Sequence, residues 1–185
     1  YSGISPRGAF ASGKFRAGIP LELSAMIGDA DNSSIGTRDN YYGMRLGSEF
    51  DSALTVGVTA MSAKEQVTTQ GNTSLTSKDG TVYGLDASYK PSGMFNLDLE
   101  LGHALYDQNI HDGLGEVTDN AFNLNLRSQI NQFNLGFGYE RIGPDYYALS
   151  SPSVGNDIRA YRFNGGYAYT GLGNVSLNYN LSEDN

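Results

Sequence analysis

The chain has 185 residues, with 12 Lys and Arg against 20 Asp and Glu, 24 Gly, 13 Tyr, 8 Phe and neither Trp nor Cys. A formal net charge of −8 argues against a nucleic-acid partner, which needs a clustered basic surface, and the lack of Cys excludes disulfide scaffolds, thiolate metal sites and cysteine nucleophiles. No apolar run approaches the roughly 18 residues of a membrane-crossing helix, a test that a β-barrel, apolar only on alternate residues, escapes.

Hydrophobic periodicity is two residues along the whole chain. Segments 8–19 and 20–29 alternate Ala9, Ala11, Phe15 and Ala17, then Leu21, Leu23, Ala25 and Ile27, with polar or small residues. Segment 41–51 sets Tyr42, Met44, Leu46 and Phe50 against Arg45 and Glu49, and 53–63 carries Leu54, Val56, Val58 and Ala60. Segments 81–90 and 94–105 follow with Tyr83, Leu85, Ala87 and Tyr89, then Phe95, Leu97, Leu99 and Leu101. The last four are 121–130 (Phe122, Leu124, Leu126), 132–141 (Phe133, Leu135, Phe137, Tyr139), 158–170 (Tyr161, Phe163, Tyr167, Tyr169) and 174–182 (Val175, Leu177, Tyr179, Leu181). A helix would scatter such residues round its cylinder, whereas a strand sorts them onto two faces. The segments are close to the 9–11 residues of a tilted membrane-crossing strand and exceed the usual five or six of a soluble one.

The connections alternate in length. Short ones fall at Ile19-Pro20, Asp51-Ser52, Lys90-Pro91-Ser92-Gly93, Asn131-Gln132 and Gly171-Leu172-Gly173-Asn174, and carry turn-forming residues. Long polar ones fall at 29–40, 64–80, 106–120 and 142–157. The apolar face is expected to be free of Asp, Glu, Lys and Arg in every strand. Rings stand at both ends of that face: Phe50, Tyr89, Phe95, Phe133 and Tyr169 beside the short turns, and Tyr42, Tyr83, Phe122, Tyr139 and Tyr161 at the opposite ends. Two aromatic girdles round an aliphatic band mark two water interfaces. A dry core has no reason to place its rings so, which sets a membrane barrel above a soluble sandwich or lipocalin-like barrel. The expected fold is therefore all-β: an antiparallel transmembrane β-barrel of about ten meandering strands, one domain over residues 1–185.

In this pattern the chain resembles a bacterial outer-membrane β-barrel of the porin-like kind. The stretch Tyr139-Glu140-Arg141-Ile142-Gly143-Pro144-Asp145-Tyr146-Tyr147-Ala148-Leu149, followed by Asn156-Asp157, is similar to a strand-to-loop passage of large barrels of that kind. A second resemblance is to the barrels of surface-layer proteins with S-layer-homology anchors. These resemblances imply an outer-membrane location, lipid as the surrounding medium, small solutes as cargo and the possibility of an oligomer. Strand direction adds that both ends of the chain lie on the long-loop side, whereas porin-like barrels keep their termini on the other. The domain is therefore expected to be incomplete, part of a larger barrel with further strands of the same or another chain. A closed ten-strand barrel is the alternative, since the first and last strands run in opposite directions.

The polar face is the main functional candidate, with five bases (Lys14, Arg16, Arg45, Arg127, Arg162) and six acids (Glu22, Glu49, Asp86, Asp98, Glu100, Glu140) expected to line a pore. A selective pore would use a ring of one sign; this near balance suggests weak selectivity or cross-strand ion pairs. Tyr146 and Tyr147 are candidates for stacking a sugar or pigment in the loop 142–157, against a role as interfacial anchors. His103 and His111, near Asp107 and Asp112, would be needed for a rim hydrolase, but are read as ordinary rim residues, and no enzyme activity or catalytic residue is expected. Asp29-Ala30-Asp31-Asn32-Ser33 begins like a calcium loop, yet Ser34 and Asn40 stand where Gly and Glu are required, so no metal site or cofactor is expected, a looser oxygen-lined calcium site here or in 106–120 being the alternative. Two functions stay open ahead of the hydrolase: a porin-like conduit for small solutes, and a structural or binding barrel presenting its loops at the cell surface.

Overall fold

An extended chain that alternates apolar and polar residues presents two chemically different faces, and this chain does so ten times in succession. The computed structural model describes residues 4–32, 37–67, 77–147, 157–169, 171 and 173–184. Its strands are β1 (Ile4–Ala17), β2 (Ile19–Asn32), β3 (Thr37–Asp51), β4 (Leu54–Val67), β5 (Lys78–Ser92), β6 (Phe95–Asp107), β7 (Val117–Ile130), β8 (Phe133–Ile142), β9 (Ile158–Tyr169) and β10 (Gly173–Glu183). Each pairs antiparallel with its sequence neighbour, forming one meandering sheet in the order β1 to β10. Among the described residues β1 and β10 do not pair, so the sheet is open and the closed ten-strand alternative is not what forms.

The strands outrun their apolar stretches. β4 continues to Val67, β5 starts at Lys78 and β7 at Val117, each three or four residues beyond the alternating segment, always on the side of the long connections. The backbone ladder needs only partners, whereas alternation needs one face to be apolar, and the two end at different places. Residues 33–36, 68–76 and 148–156, which include Ser33 and Ser34, much of the second long connection and Ala148, Leu149 and Asn156, lie outside the described residues.

Turn positions shift for local reasons. The chain reverses at Gly18 (φ 82°), not at Ile19-Pro20, because a left-handed residue is needed there and proline is held near −65°. β5 runs through Pro91 to Ser92, and an irregularity between Tyr89 and Ser92 absorbs the missing donor before the Gly93–Met94 turn. Asn131 (φ 55°) turns β7 into β8 where expected.

Register decides the faces, since directly opposed residues share one. Leu23, Leu46, Val58, Leu85, Leu101, Phe122 and Arg141 follow one another across β2 to β8 on the apolar face. That face is open: Ile27 is 55% exposed, Met44 57% and Leu177 63%. The few buried apolar residues, Ala104, Tyr106, Ile142 and Ala160, all lie on the polar face instead. The expectation of a wholly uncharged apolar face needs correction. Asp29, Arg141 and Arg159 stand on it, within the segments assigned to it, all at the long-connection end and level with or beyond the ring row. A charge can sit there because that end of the strand has left the aliphatic band.

Candidate functional site

All eleven predicted charged residues lie on the polar face, because each occupies the register opposite to the Leu and Phe positions of its strand. Cross-strand pairing places Lys14, Glu22, Gly47, Gly57, Asp86, Glu100, Asn123 and Glu140 in one transverse row. Asp98 and Arg162 fall in the next row towards the short turns, with Glu49 at its β3 end.

Several of these charges pair across strands. The Arg45 guanidinium donates through Nη2 to Asp86 Oδ2 at 2.7 Å, through Nη1 to Asp86 Oδ1, and to Thr59 Oγ1 at 3.2 Å. It reaches β5 by lying flat over Gly57 on the intervening strand, where any Cβ would collide with it. Arg162 donates to Glu140, and Lys14 stands 3.5 Å from Glu22 with both side chains largely in solvent, where such a pair contributes little. Asp98 accepts from Ser88 at 2.7 Å and from Asn96 at 2.9 Å. Among the described residues Glu100 has only the Asn123 amide, at 3.5 Å. Arg16, Glu49 and Arg127 join no ion pair among the described residues.

The start of the β8–β9 connection folds onto this face. Gly143 N–H donates to Asn120 O at 3.0 Å, and the Asp119 carboxylate accepts from Asn120 N at 2.7 Å and Asp145 N at 2.8 Å. A turn closes as Tyr146 N donates to Gly143 O at 3.2 Å. So clasped, the segment lays Tyr146 against Gly102, where a side chain on β6 would block it. Tyr147 stacks on Tyr106, centroids 3.9 Å apart and planes 11° from parallel. Burial raises the pKa of both Tyr146 and Tyr147, with Glu65 and Asp39 adding to the effect at Tyr147. Beside the segment opens a cavity of about 630 Å³ whose wall includes Arg45, Asp86, Glu100, Asn123, Glu140 and Tyr146.

Sequence reasoning missed an apolar row on the polar face: Phe10, Met26, Met61, Val82 and Ala104 follow one another across β1 to β6, with Gly43 between the methionines. The signal was present, since each of them is apolar at a position where its strand should turn polar. It also missed Asp119 as the clasp, which only register could bring beside Asp145.

The remaining candidates are not brought together. His103 lies exposed on the apolar face with Nδ1 2.9 Å from Asn120 Oδ1, and His111 lies exposed in the following connection. Asp107 and Asp112 instead accept the backbone N–H groups of Asn109 and Leu114, each at 2.8 Å. Asp29 to Asn32 form the end of β2 rather than a loop, and Asp29 pairs with Arg38 at 3.2 Å.

Comparison of the chain with protein-family models, with curated proteins and with solved structures finds no match in any of the three.

Proposed function

We propose that the chain is part of a porin-like β-barrel of the bacterial outer membrane, a conduit for small solutes, with the polar face lining the passage and the apolar face against lipid. One observation carries this reading: the large side chains of the aliphatic band are exposed along one face of the sheet, while the Arg45–Asp86 and Arg162–Glu140 pairs and the folded segment occupy the other. Leaving a Leu, Ile or Phe in water costs about 1.5–3 kcal/mol relative to burial, and contiguous apolar patches beyond a few hundred Å² mark a covered surface. Rings at both ends of the aliphatic band favour lipid over a second sheet as the cover. The outer edges of β1 and β10 carry unpaired backbone groups that hydrocarbon cannot satisfy, so further strands, of the same or another chain, complete the barrel.

In this reading Lys14, Arg16, Glu22, Arg45, Glu49, Asp86, Asp98, Glu100, Arg127, Glu140 and Arg162 line the passage. The segment carrying Tyr146 and Tyr147 narrows it. This reading calls for no cofactor and no catalytic residue. Current through planar bilayers holding the folded protein tests the proposal. Discrete conductance steps support it. Full insertion without current supports a surface scaffold that presents its loops.

A further inference from the structure

Towards the short-turn end of the polar face, register puts Asn96, Arg127, Gly136, Asn164 and Asn178 in one row across β6 to β10. Asn164 lies over Gly136, where an added Cβ would collide with its amide, and so leans towards Arg127. A cavity of about 280 Å³ opens here, its wall including Asn96, Arg127, Gln129, Asn134 and Asn164.

Two groups in this wall lack what their chemistry requires. Arg127 is exposed and, among the described residues, joins no ion pair. Asp98, diagonal to it across β6 and β7, is already engaged: Oδ1 accepts from Ser88 at 2.7 Å and Oδ2 from Asn96 Nδ2 at 2.9 Å. The second group is Asn96 Oδ1, which is buried and meets no donor among the described residues. The amide cannot turn over to relieve it, because its oxygen would then face the Asp98 carboxylate. A buried acceptor left so costs about 1–3 kcal/mol until a donor reaches it.

The two requirements are adjacent and complementary. A guanidinium takes a carboxylate in a two-bond fork, and Asn96 Oδ1 takes a donor. Directly opposed residues hold their Cβ atoms about 4.5–5.5 Å apart, so one small molecule with an anion and a donor on neighbouring atoms can meet both. A neutral sugar would leave the guanidinium uncompensated, and a plain carboxylate would leave Oδ1 without a donor. The Asp98 charge behind the amide strengthens Oδ1 as an acceptor and favours a cationic donor over a hydroxyl.

Resting on the reading of the polar face as a solute passage, we infer that this cavity binds a free α-amino acid, its carboxylate on Arg127 and its ammonium on Asn96 Oδ1.

Saturation-transfer NMR of the detergent-solubilised protein tests this, with an equimolar mixture of L-alanine, L-lactate and propionate as the probe. These acids are close in size and differ in the group on the α-carbon. Alanine should bind about tenfold better than propionate, the factor for one charge-assisted hydrogen bond, with lactate between them. Asn96→Leu should bring the alanine-to-propionate ratio near one, and Arg127→Gln should remove the signal of all the acids. Equal binding of alanine and propionate by the wild type, or no binding of either, overturns the inference. So does an alanine preference that survives Asn96→Leu. Planar-bilayer recording of the same preparation separates this inference from the reading on which it rests. Conductance steps without an alanine preference remove the inference alone, whereas an alanine preference without conductance keeps the site and removes the passage.

Discussion

Asp86 and Glu100 stand directly opposite one another across β5 and β6, yet among the described residues only Asp86 has a guanidinium against it. Arg45 cancels one carboxylate of the pair and leaves the other beside the cavity that Tyr146 overhangs. In a water-filled passage a fixed charge about 4 Å from an ion interacts by about 1 kcal/mol, so Glu100 should confer a mild cation preference. Glu100→Gln is predicted to lower the cation-to-anion permeability ratio several-fold, read as a reversal-potential shift under a salt gradient. An unshifted potential would show that Glu100 is remote from the permeating ions.

The Arg45–Asp86 pair depends on a glycine of β4, the strand that separates its two partners. Gly57→Ala should displace the guanidinium and part the pair, lowering the melting temperature, while the two freed and opposite charges leave selectivity nearly unchanged. Both partners are partly exposed, so the stability loss should not exceed about 1 kcal/mol. Gly13, where an added Cβ would meet nothing within 4 Å, is the control, and Gly13→Ala should alter neither selectivity nor melting temperature.

Alternation told which residues share a face, because period two is a local property of an extended chain. It therefore sorted Leu97, Leu99 and Leu101 from Asp98 and Glu100 before any strand was paired. It could not tell which residues meet across strands. That Asp86 opposes Glu100, that Asp119 reaches Asp145, and that Arg141 opposes Arg159 all follow from register, which depends on where each turn reverses. Glycines such as Gly57 and Gly102 read as neutral spacers in sequence, and become beds for Arg45 and Tyr146 only once neighbouring strands are aligned. Strand ends are less legible for a different reason: Lys78 and Val67 continue the backbone ladder beyond the stretch in which apolar and polar side chains alternate.

Asp119 holds the folded segment through the backbone N–H of Asp145. Asp119→Ala removes this acceptor and is predicted to cost the segment about 1–2 kcal/mol. In single-channel records the variant should show a larger or noisier conductance than the wild type, with Asp119→Asn intermediate. Identical records would mean that the segment does not restrict flow.

Burial raises the Tyr146 and Tyr147 phenols above the ordinary tyrosine value, so the folded segment holds those protons more tightly than an unfolded chain does. Their contribution to its stability is full below pH of about 10 and is lost as pH rises through the raised values. Difference spectra of Tyr146→Phe and Tyr147→Phe against wild type should assign these two phenols to the late part of an ultraviolet titration. Ionisation together with exposed tyrosines would contradict their burial.

The assignment of faces to media is tested most directly by single-cysteine labelling, which is clean in a chain with no cysteine of its own. Leu99 and Glu100 are adjacent on β6 and lie on opposite faces. With the protein inserted in lipid vesicles, Glu100→Cys should react with a water-soluble maleimide and Leu99→Cys should stay protected. Reaction at position 99 with silence at position 100 would contradict a lipid-facing apolar surface.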